Sequence, residues 1–230
     1  MPAPQTHHLR PTAELSERVL LPGDPGRALL LAQILLDKPL MFNHHRGLWG
    51  YTGMAADGAT LTIQATGMGG PSAAIVLSEL IALGARRAIR VGTCGAIASG
   101  LALGQLIVAS EAISADGTSR ALGAGDLVPA DRDLAAALDA KAPAALTGAV
   151  VTVDLFYELG PPGGGHEALA VEMEAAALFA LGALESVPVG CILAVSDTFD
   201  EAGRRSRIED HALHEAVERA ARAALAALQA

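Results

Sequence analysis

The chain has 230 residues, 51% of them apolar, and a formal net charge of −9. The apolar content excludes a disordered chain, and the length suits one large α/β domain over 1–230 with a substantial core. The negative charge argues against nucleic acid or an anionic membrane as a bulk partner, so an anionic substrate must be held by a local basic site.

Residues 19–21 read as a strand that stops at the dense turn signal of residues 22–26. Asp24 can cap a helix and Pro25 can open it, which gives a helix from Pro25 to about Leu36. Residues 60–65 alternate like a strand, residues 67–71 break it, and residues 72–83 are apolar at helical spacing. A strand over 87–92 ends in Thr93-Cys-Gly95, and further strands are predicted over 105–113 and 147–153, with a helix over 131–140 between them. Residues 160–165, Gly-Pro-Pro-Gly-Gly-Gly, read as a mobile loop. A helix over 171–184, a last strand over 188–195 and a final helix over 208–228 complete the pattern. Strands alternating with helices imply a largely parallel sheet covered on both faces.

The start, Met1-Pro-Ala-Pro-Gln-Thr-His-His8, lacks the apolar centre of a signal peptide, and no charge-free run is long enough for a membrane helix. The expectation is a cytoplasmic protein. Cys94 and Cys191 stand in apolar runs without metal-ligand spacing, which predicts buried thiols and no metal site.

Three glycine-bearing turns fall at the carboxyl ends of predicted strands, where ligands gather in parallel sheets: Gly23-Asp-Pro-Gly-Arg27, Gly67-Met-Gly-Gly70 and Arg90-Val-Gly-Thr-Cys-Gly95. Glycine lets backbone N–H groups approach an anion, and Arg27, Arg90 and the Thr93 hydroxyl add donors suited to phosphate. The plain alternative is tight turns with surface arginines. Neither a Walker loop nor a dinucleotide loop is present, which leaves a small phosphate site. In Val171-Glu-Met-Glu174 two carboxylates face one pocket if the segment is a strand-to-helix junction, and can accept from vicinal sugar hydroxyls; otherwise they are a solvated helix start. Ser196-Asp197 follows an apolar strand and is either a general acid in a cleft or a helix cap. Phe156 either stacks on a planar base or belongs to the core.

Seven blocks in order, from Leu21-Pro-Gly-Asp-Pro-Gly-Arg27 through Asn43-His-His-Arg-Gly-Leu-Trp-Gly-Tyr-Thr-Gly53, Gly67-Met-Gly69 with Pro71-Ser72, Ile89-Arg-Val-Gly-Thr-Cys-Gly-Ala96, Asp154-Leu-Phe-Tyr157 and Val171-Glu-Met-Glu-Ala-Ala176 to Val195-Ser-Asp197, resemble the nucleoside phosphorylase family. The likeness is to its small-subunit branch, which assembles as a hexamer, a trimer of dimers. The resemblance implies a single α/β domain with a central twisted, mixed, mostly parallel and partly barrel-like sheet flanked by helices on both sides. It implies a transferase for nucleoside salvage that uses inorganic phosphate as co-substrate and no cofactor. Gly23, Arg27, Arg90 and Thr93 would bind phosphate, with Arg46 reaching the neighbouring subunit's site. Met68, Phe156, Val171, Glu172, Met173, Glu174 and Ser196 would surround the nucleoside, Glu174 accepting from its hydroxyls. Asp197 would protonate N7 of a leaving purine with help from Arg207, the neighbouring Arg204 and Arg205 being alternatives. His8, or His7, would reach across to the adjacent subunit.

The uridine branch of the family reads uracil with a Gln and an Arg after the aromatic residue. Neither type occurs between Arg132 and Arg204, so an oxo-pyrimidine would lack those donors and purine is preferred. Uridine phosphorolysis is the alternative. The related nucleosidases lack the arginine clamp present here, and a non-catalytic binding relative would be expected to lose Asp197 or those arginines.

Overall fold

The computed structural model describes residues 6–157, 162–200 and 204–229. Strand β1 (Arg18–Leu21) is apolar without alternation and lies in the middle of the sheet. It ends at Pro22, and α1 (Pro25–Leu35) starts where the turn signal predicts: Asp24 accepts the Arg27 N–H at 2.7 Å and Pro25 takes the first position. Next come β2 (Leu36–Asn43) and β3 (Gly50–Ala55), which the sequence pattern did not reveal, joined through a short 3-10 turn at His45–Gly47. Then follow β4 (Thr60–Gln64), α2 (Gly70–Leu83), β5 (Arg87–Ala96), β6 (Leu106–Ala115), α3 (Gly117–Ala121), β7 (Leu127–Pro129) and α4 (Arg132–Lys141). The last part holds β8 (Leu146–Val153), a 3-10 turn at Pro162–Gly165, β9 (Ala170–Glu172), α5 (Ala175–Glu185), β10 (Val189–Phe199), β11 (Arg205–Arg207) and α6 (Asp210–Ala227).

All strands join one sheet in the order β11-β10-β6-β8-β9-β5-β1-β4-β3-β2, with β7 beside β6. Because β10 pairs with β5 as well, the strands β5, β10, β6, β8 and β9 close into a ring, the partly barrel-like centre. Its pairings are mixed: β10–β5, β6–β8 and β8–β9 are parallel, while β10–β6 and β5–β9 are antiparallel. One face carries α2 and α5, with Leu77, Leu80 and Phe179 in its core, and the other carries α1, α4 and α6, with Leu31, Leu138 and Val217. Among the described residues no helix is long and apolar enough to cross a membrane.

Two boundaries differ from expectation in ways that matter for the site. The helix expected from residue 171 begins at Ala175, and residues 170–172 are strand β9. Ala175 to Gly182 are all buried, so the helix has no polar face to mark its phase or its start. Thr93-Cys-Gly95 is not a turn; β5 runs on to Ala96, paired with β10 on one side and β9 on the other. Of the loop expected over 160–165, residues 160 and 161 lie outside the described residues.

The N-terminal segment is tied down by one carboxylate. Glu79 on α2 accepts the N–H groups of His7, His8 and Leu9 at 3.0, 3.0 and 2.6 Å, and its Oε1 is 2.8 Å from His8 Nδ1. Burial opposes its charge, but the donors from Leu9, His7 and His8 outweigh it and hold the carboxyl down to about 2. A depressed carboxyl stabilises the fold fully above its ordinary value and loses that contribution as pH falls toward the folded value. Denaturant stability is therefore expected to drop on the order of 2–3 kcal/mol between about pH 4.5 and pH 2 through this group, and Glu79→Gln to flatten that limb. An identical acid limb in the variant would refute the assignment.

Candidate active site

A cavity of about 620 Å³ opens at the ends of β1, β5, β9 and β10. Gly23, Arg27, Met68, Arg90, Thr93, Phe156, Val171, Glu172, Met173, Glu174 and Ser196 all line it. Residues from six of the seven sequence blocks thus meet in one space, within the size range of small-molecule sites.

The three turn segments converge at one end. The point where a Cβ would sit on Gly23 lies 3.4 Å from the Gly67 carbonyl oxygen, 3.8 Å from Arg27 Nη2 and 4.0 Å from Arg90 Nη1. Arg27 Nη1 donates to Thr93 Oγ1 at 3.5 Å, and Arg27 makes no ion pair among the described residues. Burial, and next the nearby Arg90 cation, push the Arg27 guanidinium below its ordinary pKa. Two cations held this close in a partly dry wall form a site whose repulsion a small anion relieves.

Arg90 is committed differently from a plain phosphate clamp. It is 3% exposed; Nε donates to Glu172 Oε2 at 3.0 Å and Nη2 meets Glu174 Oε2 at 2.5 Å. Burial opposes its charge, but Glu174 and then Glu172 more than offset that and raise its pKa. β9 runs antiparallel to β5, which brings both glutamates back over the strand that carries Arg90. The Glu172 oxygens also accept from the Thr152 hydroxyl at 2.5 Å and from the N–H groups of Glu174 and Ala175, each at 2.9 Å. Burial raises the Glu172 carboxyl, against the pull of Arg90. With both oxygens occupied, Glu172 braces the junction of β9 and α5. Among the described residues the Glu174 carboxylate accepts only from Arg90 and from the Gly69 N–H, at 2.5 Å, which leaves acceptor capacity on a residue that lines the cavity. Gly69 has φ +86°, open to glycine at little cost, which turns that N–H to the carboxylate.

The fold of Arg90 depends on a glycine two residues on. A Cβ on Gly92 would lie 2.6 Å from Arg90 Cζ and 2.8 Å from Leu193 Cδ2. The guanidinium cannot give way without breaking its two ion pairs. Gly92→Ala is expected to destabilise the protein by about 1–3 kcal/mol in a denaturant melt. An unchanged midpoint would show that the guanidinium has another resting place.

At the opposite end the wall is apolar: Phe156, Val171 and Phe199 face the cavity, and Met68 stands 85% exposed at its rim. Ser196 Oγ lies 2.7 Å from Asp197 Oδ2 and 3.2 Å from the Cys94 carbonyl oxygen. Asp197 is buried and is not among the residues that line the cavity. Its Oδ1 has no hydrogen-bond partner among the described residues. Arg205 Nε is 3.8 Å and Arg207 Nη1 3.9 Å from that oxygen, because β11 pairs antiparallel with the end of β10, Asp197 opposite Arg207 and Phe199 opposite Arg205.

Of the three arginines, Arg205 lines the cavity, with its guanidinium 4.4 Å from the Phe156 ring centre and 5.5 Å from that of Phe199. Arg207 is exposed outside the wall, and Arg204 pairs with Asp200 at 2.7 Å. No arginine or glutamine stands between Arg132 and Arg204, but Arg205 brings a guanidinium beside Phe156 from the later strand β11. His8 and Arg46 do not line the cavity of their own chain. Arg46 is exposed and holds φ +59°.

The sequence profile of the Phosphorylase superfamily matches residues 17–230. The chain belongs to this superfamily. It is 38% identical over 195 residues to the DeoD-type purine nucleoside phosphorylases of Bacillus thuringiensis (strain Al Hakam) and of Bacillus cytotoxicus, covering 80% of this chain and 83% of each relative. Its fold matches the crystal structure of uridine phosphorylase from Vibrio fischeri ES114 with a TM-score of 0.81 at 27% identity, covering 94% of this chain and 92% of that one.

Within this superfamily member, sequence reasoning missed Phe199 and Thr152 and left Arg205 as an alternative to Arg207. Phe199 lies two residues beyond Asp197 on a strand, so the period of two was available to put it on the same side. Thr152 gave no signal, since its partner Glu172 is 20 residues away. Arg205 was indistinguishable from Arg204 and Arg207 until the β10–β11 register was known.

Proposed function

We propose that the protein catalyses phosphorolysis of purine nucleosides to the free base and the pentose 1-phosphate. The observation that carries this is the meeting of Arg27, Arg90 and Thr93 around one point beside Gly23, next to a glutamate, Glu174, that shares Arg90 with it. Phosphate bound there stands beside a sugar whose hydroxyls donate to Glu174. Arg27 brings the uncommitted charge, while Arg90 contributes Nη1 and fixes the carboxylate. Holding phosphate in line with C1′ supplies the proximity term, and neutralising charge on the departing base supplies the electrostatic one.

Phe156, Phe199 and Val171 flank the base, and Asp197 delivers the proton to it. The unpartnered Oδ1 supports that role, and Arg205 shifts on its aromatic bed to uncover it. Arg46 and His8 act across an interface in a cytoplasmic homo-oligomer, a reading supported by the exposure of Arg46 and its left-handed backbone, a form that non-glycine residues rarely keep without a reason.

Purine is favoured by the 38% identity to the DeoD-type enzymes. Uridine is the second reading, favoured by the presence of Arg205 near Phe156 and by the likeness to a uridine phosphorylase structure. Base release from inosine, adenosine and uridine, each with and without phosphate, tests all of this. Phosphate-dependent purine release is expected. Cleavage without phosphate would make the protein a nucleosidase instead.

A further inference from the structure

Resting on the nucleoside phosphorylase reading, we infer that Arg205 reads the base and that it selects 6-oxopurine nucleosides over 6-aminopurine nucleosides. Three observations lead there. The guanidinium carbon lies over the Phe156 ring, 4.4 Å from its centre, and 5.5 Å from the centre of the Phe199 ring, at the apolar end of the cavity. Such a cation–π contact holds the group at the wall without using its N–H donors in hydrogen bonds. The Arg205 guanidinium donates no hydrogen bond among the described residues, and the carboxylate oxygen it pairs with, Asp197 Oδ1, is 3.8 Å away, beyond hydrogen-bond length. It is a set of directed donors at the wall of a site, with capacity unspent.

A guanidinium has five donors and no acceptor. A 6-oxopurine presents two adjacent acceptors, O6 and N7, on one edge, the pattern that arginine fits best. A 6-aminopurine presents an N–H donor at the first of those atoms, which a second donor opposes. Asp197 Oδ1, 3.8 Å from Arg205 Nε, has no hydrogen-bond partner among the described residues. When Arg205 turns to O6, Asp197 is uncovered toward N7, so the two residues divide one edge of the base between them. Arg207, 3.9 Å from the same oxygen and outside the wall, remains to balance the Asp197 charge. Arg205 is 35% exposed, so the discrimination is modest, about 10- to 100-fold, far from that of a fully buried reader.

The test is phosphate-dependent kcat/KM for inosine, guanosine, adenosine and uridine with the full chain and with Arg205→Ala. The wild type is expected to favour inosine and guanosine over adenosine at least tenfold. Arg205→Ala is expected to lose at least tenfold more on the two oxo substrates than on adenosine, so that the ratio collapses whatever the loss common to all substrates. A denaturant melt of the variant reports that it is folded. An unchanged inosine-to-adenosine ratio in Arg205→Ala, or a wild type that prefers adenosine, overturns the inference while leaving phosphorolysis standing. Failure to cleave any nucleoside with phosphate, or a preference for uridine, overturns the purine phosphorylase reading and this inference with it.

Discussion

Arg90→Ala is expected to lower the free energy of unfolding by about 3–5 kcal/mol and to abolish measurable phosphorolysis. The size follows from what is left behind. Glu172 and Glu174 are 4% and 5% exposed, and Arg90 is the cation that pairs with both. Removing it strands two carboxylates in a wall where solvent cannot replace the lost charge. The Glu172 carboxyl, already raised by burial, loses the pull that opposes that rise, so the folded variant binds a proton that the unfolded chain does not. Stability of the variant should fall as pH rises from about 5 to 7, more steeply than that of the wild type. Activity is lost for a second reason: Glu174 loses the contact that aims it at the sugar. Urea melts at pH 5 and pH 7 read both effects. A variant within 1 kcal/mol of wild type at pH 7 would mean that the carboxylates have another partner.

Asp197→Asn is expected to reduce phosphorolysis about 100-fold or more, with the phosphate KM little changed. The amide cannot give up a proton to the leaving base. The phosphate end, built on Gly23 in the β1–α1 turn, Arg27 on α1 and Thr93 on β5, lies on other elements and keeps its geometry. The stability change should stay near 1 kcal/mol or below, because the pairs of Asp197 with Arg205 and Arg207 span 3.8 and 3.9 Å and both arginines reach solvent. Steady-state rates at saturating phosphate test it; full retained activity would remove Asp197 from the chemistry.

The fold was legible where its causes are local. The Asp24-Pro25 cap needs only three residues to form, and the α1 start fell where it was read. The β2–β3 hairpin was not legible. Its first strand carries Pro39 and a left-handed Lys38, and its register shifts twice against β3, so no alternation of period two survives. The start of α5 was hidden for the opposite reason, since a helix buried on every side has no amphipathic phase.

The candidate site divides in the same way. Residue type and order were enough to single out Gly23, Arg27, Arg90, Thr93, Glu174 and Asp197, because phosphate, sugar hydroxyls and a leaving base each require particular donors and acceptors wherever they bind. Which of those groups would touch depended on closure of the strand ring. Glu172 and Arg90 are 82 residues apart along the chain and meet only because β9 folds back along β5. That closure turned Arg90 from a clamp into the partner of two carboxylates, set Asp197 behind the wall, and chose Arg205 among three neighbouring arginines. Contacts of such long range are made by backbone pairing between distant strands, and the chemistry of the side chains they bring together does not encode it.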